Sequence, residues 1–213
     1  MTDTQEPDLG AFELNLRRAS GDSTSSPPLA LTFSVPVVSS VTPLVGPSVG
    51  ASRLVLRGTA LLGVSHCQFG GAASVMPALK VNESSLECVS PPHEAGVVEL
   101  NLTIDGLHWF SAGRFSFYAH PRPNGLSPRS GTPGTLLRLR GRNLAYDWPA
   151  ADPLQSQDAL NASVIRFSDV EGGGAEVLLP AIAATPALLK YVAPPRAAGA
   201  ERLALTLNGQ HWH

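Results

Sequence analysis

Charge is scarce in this chain. Its 213 residues carry 15 Lys+Arg and 17 Asp+Glu, or 15% charged residues, against about 25% in an average globular chain. Long solvated helices need Glu, Lys, Arg and Gln on their outer faces, so helical bundles and coiled coils are excluded. Neither sign is in excess: a net charge of −2 supplies no overall field for nucleic acid or an anionic membrane surface. No stretch approaches about 18 consecutive apolar residues, so no segment reads as a membrane-spanning helix. The first thirty residues, beginning MTDTQEPDLG, lack the basic and apolar regions of a signal peptide. There is no phosphate-binding Walker loop, no H-E-x-x-H and no zinc-ligand spacing. What the chain does have is 43% hydrophobic residues, which exclude a disordered polymer, together with 20 glycines and 19 prolines.

Those glycines and prolines recur at matched places. Leu86–Trp109 reads LECVSPPHEAGVVELNLTIDGLHW, and Leu189–Trp212 reads LKYVAPPRAAGAERLALTLNGQHW, at a constant offset of 103. Arg53–Gly58 (RLVLRG) matches Leu136–Gly141 (LLRLRG) at an offset of 83, and His66–Phe69 (HCQF) matches Val164–Phe167 (VIRF) at 98. The offset grows by 15 and then by 5, which places a larger insertion within Leu144–Ser163 and a smaller one around Ser168–Gly174. The leading segment fits the same scheme. Phe12–Leu16 (FELNL) parallels Val98–Leu102 (VELNL), and Leu29–Pro36 (LALTFSVP) parallels Arg114–Pro121 (RFSFYAHP). Residues 1–35 thus read as the C-terminal strands of a preceding repeat, 36–120 as a complete repeat, and 121–213 as a second repeat lacking its last strand. The whole reads as a window on a longer tandem array.

Within each repeat the hydrophobic period is two. Leu54 and Leu56 alternate with Val55 and Arg57, and Leu137 and Leu139 with Arg138 and Arg140. Val98, Leu100, Leu102 and Ile104 alternate with Glu99, Asn101 and Thr103. This is the pattern of strands with one face in a core and one in water. Gly46-Pro47, Gly70-Gly71, Pro91-Pro92 and Pro194-Pro195 punctuate the runs, and Asp105-Gly106 and Asn208-Gly209 suit two-residue type I′ hairpins. Short strands at this spacing predict an all-β chain of tandem immunoglobulin-like sandwiches, about seven strands each.

The run from VTPLVG (Val41–Gly46) through RLVLRG, CQFGG, LECVSPPHEAGVVELNLTIDG and FSFYAHP resembles the IPT/TIG domain. This is the immunoglobulin-like fold, of the early E-set type, shared by plexins and some transcription factors. The resemblance covers Val38–Pro121 and, less fully, Leu126–Trp212, which lacks both cysteines and has Ser168-Asp169 in place of the Gly-Gly after the phenylalanine. It implies non-catalytic modules that serve as rods, adhesion surfaces or dimerisation units. Arrays of this style are similar to those of plexins, the scatter-factor receptor family and fibrocystin-like proteins.

Cys67 and Cys88 are the only cysteines, and the second repeat replaces both, by Ile165 and Tyr191. Joint replacement points to core neighbours. They form either a disulfide, worth about 3 kcal/mol for a loop of this length, or two buried free thiols. Asn82, Asn101 and Asn161 open glycosylation sequons, and alternation turns Asn101 outward. His108-Trp109 and His211-Trp212 recur at one place in both repeats, a structural rather than catalytic signature. Arg122, Arg129, Arg138, Arg140 and Arg142 form a stretch without acids. Arg138 and Arg140 share one outward strand face; with Asp147 and Trp148 of the long insertion they are the candidate partner surface.

The sequence therefore predicts a non-catalytic structural or recognition segment of a larger tandem-repeat protein at the cell surface or outside the cell. Its expected partners are proteins or neighbouring repeats of the same chain, with no nucleic acid, no cofactor and no metal. Contact with a membrane is expected only through parts outside this window. The alternatives are an intracellular ciliary or cytoskeletal scaffold, a transcription-factor-type dimerisation module, and an accessory domain of a carbohydrate-active enzyme.

Overall fold

In a β-strand alternate side chains face opposite ways, so RLVLRG and LLRLRG each bury two leucines against a second sheet while their arginines stay in water. A computed structural model of the chain describes residues 12–14, 29–31, 35–145, 163–170 and 175–213. Asp147, Trp148 and Asn161, and with them most of the long insertion, lie outside the described residues, as does the Gly172–Gly174 run. At the amino end β1 (Phe12–Leu14) and β2 (Leu29–Leu31) pair antiparallel with each other, Phe12 opposite Leu31. Residues 36–213 make a separate unit, which holds two sandwiches.

The first sandwich is built from β3 (Val37–Thr42), β4 (Val45–Pro47), β5 (Arg53–Thr59), β6 (His66–Phe69), β7 (Val75–Pro77), β8 (Leu79–Asn82), β9 (Ser85–Val89), β10 (Gly96–Thr103) and β11 (Trp109–Tyr118). One sheet has the order β3-β5-β9-β8 and the other β4-β11-β10-β6-β7. Between them Leu54, Leu56, Leu86, Leu100 and Leu102 pack with Phe69, Phe115 and Phe117, all buried. The three phenylalanine rings meet edge to face, with centroids 4.9–6.2 Å apart, the arrangement aromatic quadrupoles favour. Cys67 on β6 and Cys88 on β9 bring their sulfur atoms into bonding contact across the two sheets, with Cα atoms 6.5 Å apart.

The second sandwich comprises β12 (Arg122–Ser127), β13 (Leu136–Arg142), β14 (Val164–Asp169), β15 (Val177–Pro180), β16 (Ala183–Thr185), β17 (Leu188–Val192) and β18 (Glu201–Thr206). The order β12-β13-β17-β16 repeats β3-β5-β9-β8 strand for strand, while β15-β14-β18 repeats only β7-β6-β10, with no strands matching β4 and β11 among the described residues. The beginning of a further rung is present: Thr206 bridges Trp212, as Thr103 pairs with Trp109 in the first sandwich. Tyr191 fills the place of Cys88, fully buried, and burial pushes its phenol well above the ordinary range.

The glycine that ends each arginine strand is dictated by a close approach. A Cβ on Gly58 would run into the backbone oxygen of Val37, and one on Gly141 into that of Arg122, beside the register shifts where β3 and β12 bulge. The expected type I′ turns are corrected. Five residues, 104–108, join β10 to β11, and of the turn pair Asp105-Gly106 only the glycine has positive φ. Asp105 instead accepts hydrogen bonds from the backbone ahead of it, the turn in which an Asx side chain stands in for a peptide carbonyl.

Candidate functional site: the joint between the sandwiches

Each sandwich contributes to the other at their contact. Val45 and Tyr118, from the end strands of the first, are buried in the core of the second with Leu137, Leu139, Leu144, Ile165 and Leu189. Two side chains of one domain thereby complete the packing of its neighbour. The Tyr118 hydroxyl is buried without a hydrogen-bond partner, and burial raises its pKa far above the ordinary value.

In the opposite direction, the loop after β18 reaches back to the first sandwich. Gln210 accepts the backbone N–H of Arg53 on Oε1 at 2.9 Å and donates Nε2 to the backbone oxygen of the same residue at 2.7 Å. Its primary amide thus pairs with a peptide group as a neighbouring strand would. Asn208 donates Nδ2 to Ser52 Oγ at 3.1 Å and to the Val45 oxygen at 3.3 Å. Its Oδ1 accepts from the N–H groups of Gln210 and His211, and Thr206 Oγ1 accepts from Gly209. These bonds within the loop hold both amides in place against the first sandwich.

The equivalent loop of the first sandwich has the same internal bonds. Thr103 Oγ1 accepts from Gly106 at 2.9 Å, and Asp105 Oδ1 from Leu107 and His108, each at 2.8 Å. What differs is what it offers outward. Asp105 has no donor and turns its second oxygen on His108 Nδ1 at 2.6 Å, and those bonds hold its carboxyl well below the usual range. Leu107 stands where Gln210 does and is 79% exposed.

Histidines line the rim of the joint. The His213 ring meets His120 edge-on at 4.5 Å and Tyr118 at 6.3 Å, while its backbone N–H and oxygen bond reciprocally to Leu205, both at 2.8 Å. His213 Nε2 is buried and unpartnered. Burial, then the neighbouring His120 and His211, holds His213 below its ordinary pKa, and burial does the same for His211. On the far side the Arg166 guanidinium sits 4.5 Å above the Trp212 ring. Among the described residues no three His, Cys, Asp or Glu side chains are placed to hold one metal ion, and no helix is long and apolar enough to cross a membrane.

The candidate residues do not converge on this joint. Asn82 is exposed at the β8–β9 turn, its Oδ1 accepting from the Ser84 N–H and hydroxyl. Asn101 lies on the outward side of β10, between buried Leu100 and Leu102, and its Nδ2 is 3.4 Å from Gln68 Oε1. Arg138 and Arg140 are exposed on β13. Reading the sequence did not single out Asn208 and Gln210. The signal was available in the aligned pair IDGLHW and LNGQHW: only the second has side-chain amides where the first has a carboxylate and a leucine.

Residues 36–117 match the family model of the IPT/TIG domain. The match covers the first sandwich; the second repeats the order of its four-stranded sheet and of three strands of the other. Among solved structures, the chain is similar to the full extracellular region of plexin A4, with 17% identity and a TM-score of 0.49, over 85% of this chain and 15% of that one. It is also similar to the surface glycan-binding protein PbSGBP-B from Prevotella bryantii, with 13% identity and a TM-score of 0.34, over 83% of this chain and 40% of that one. The chain thus spans well under half the length of either structure.

Proposed function

We propose that this chain is a non-catalytic spacer and recognition segment of an extracellular or cell-surface protein, built from IPT/TIG-type repeats joined in tandem. On this reading residues 36–120 and 121–213 are successive repeats, and 1–35 is the tail of another. The observation that carries it is the joint. An element whose task is to hold two modules at one angle requires contacts that fix both distance and rotation, and Gln210 on the Arg53 backbone with Tyr118 in the neighbouring core supplies both. Proline at the crossing, Pro121 and Pro123, removes backbone freedom there. The extracellular assignment is supported by Cys67 and Cys88 in bonding position and by exposed Asn82 and outward-facing Asn101 in sequons.

Small-angle scattering of the chain tests the rod. A Gln210→Ala/Asn208→Ala variant should broaden the distance distribution while each sandwich stays folded; an unchanged profile counts against a stiff joint. The compartment is tested separately by secreting the chain from mammalian cells and mapping peptides by mass spectrometry. Free thiols and bare asparagines would favour the intracellular scaffold.

A further inference from the structure

Strand register gathers charge that the linear sequence leaves scattered. Residues directly opposite on neighbouring strands point to the same side of a sheet. On the outward face of the second sandwich, Arg138 stands opposite Lys190 of β17, Arg122 of β12 stands opposite Arg142, and Arg140 lies between them on β13. The four arginines are exposed and Lys190 is half-buried. Five of the chain's 15 cations therefore share one sheet face, and among the described residues none of the five forms an ion pair. The equivalent face of the first sandwich has Val55 opposite Glu87, Val37 opposite Thr59, and Arg57 between them. At these equivalent positions the first sandwich is neutral and the second carries five positive charges, in a chain whose net charge is −2. Like charges set directly opposite each other destabilise a sheet, so folding alone gives no reason for this arrangement.

We infer that the outward face of β12, β13 and β17 binds a linear sulfated polysaccharide. Guanidinium groups match the oxygen pairs of a sulfate with two parallel hydrogen bonds. Residues two apart along a strand are about 6.6 Å apart and neighbouring strands about 4.8 Å, so the cations form a flat lattice suited to an extended chain of repeating anions. The strands that make this face place no aromatic ring on it, since Tyr191 points into the core. Single-stranded nucleic acids seek aromatic stacking platforms, and duplex DNA takes a helix or ribbon into its major groove. Anionic lipid is the competing flat surface, but it is concentrated on the cytoplasmic leaflet. The choice of polysaccharide over lipid therefore rests on the extracellular reading above.

The whole chain is titrated with heparin oligosaccharides and, in parallel, with desulfated heparin and phosphatidylserine vesicles, at about 50 and 200 mM salt. Wild type should bind heparin, more weakly at the higher salt, and should lose binding when the sulfates are removed. Arg138→Gln/Arg140→Gln should weaken it by at least about tenfold, and Lys190→Glu, which copies Glu87 of the other sandwich, by a smaller factor. Arg57→Gln/Arg202→Gln removes the same charge elsewhere and should change affinity by less than about twofold. No heparin binding at the lower salt, equal losses in both double variants, or equal binding of desulfated heparin would overturn the inference. Binding to the vesicles alone would also overturn it, and would indict the extracellular reading rather than the basic face.

Discussion

The two sandwiches share the order of seven strands and solve their cores differently. The first closes on three phenylalanines and a cysteine pair, all its own. The second has Ile165 and Tyr191 where the cysteines were, and takes Val45 and Tyr118 from its neighbour. The first is self-sufficient in its packing; the second is completed from outside. Stability in this pair should therefore flow in one direction, and the sharpest way to break the comparison is to cut that flow. Tyr118→Ala should destabilise the second sandwich by about 3–5 kcal/mol, the usual cost of removing a large buried ring. Phe117→Ala, one residue earlier, should place a similar loss on the first. Tyr118→Phe removes only a hydroxyl that is buried without a partner and should be close to neutral. Hydrogen exchange resolved by sandwich separates these outcomes; equal losses in both sandwiches from Tyr118→Ala would mean the dependence is mutual.

The cysteine pair should matter about as much, with its direct cost falling on the first sandwich. Cys67→Ala/Cys88→Ala closes no loop in the unfolded chain and should cost about 3 kcal/mol, read as a lower urea midpoint in the transition of residues 36–120. A smaller change tests the two docking loops against each other. Asn208→Asp makes the second loop resemble the first and leaves the Val45 oxygen and Ser52 hydroxyl without their donor, a loss of about 1–3 kcal/mol at the joint. The reciprocal Asp105→Asn should leave the joint untouched. The amide of Arg53, whose hydrogen goes to Gln210, is the reporter.

Acidity supplies the mildest test. His211 and His213 are held below their ordinary 6.5 chiefly by burial, so the folded chain binds fewer protons than the unfolded one just below that value. The stabilisation is complete above pH 6.5 and is lost as the pH falls through the depressed pKa values. His213→Phe installs the residue that Phe110 supplies in the first repeat. It should flatten the dependence between pH 7 and 5, as measured by protection of the Arg53 amide corrected for intrinsic exchange.

How much of this was legible beforehand follows from what period-two patterns encode. Leu54, Leu56, Leu137 and Leu139 announced strands and their buried faces, because burial and alternation are local facts. The 103-residue offset paired Thr103 with Thr206 and Trp109 with Trp212, and the structure gives both pairs the same bridge. Register is not local. Nothing in the order of residues says that Lys190 will stand opposite Arg138, so this member of the basic face emerged only when β17 was laid beside β13. The joint was hidden for another reason. Tyr118 and Gln210 look like an ordinary strand end and an ordinary turn until a second domain is brought to meet them. Asp105-Gly106 misled in the opposite sense, since the dipeptide suits a tight hairpin but the carboxylate found better partners in the backbone two and three residues ahead.

Gln210 grips Arg53 by its peptide group and ignores its side chain. Any residue with a free N–H would present the same handle, so only proline at position 53 would be refused. The guanidinium remains at liberty to pair with Glu87, or to be exchanged for something else, without disturbing the coupling. A fastener that reads only the backbone lets the surfaces of the two sandwiches drift in sequence while the spacing between them is kept unchanged.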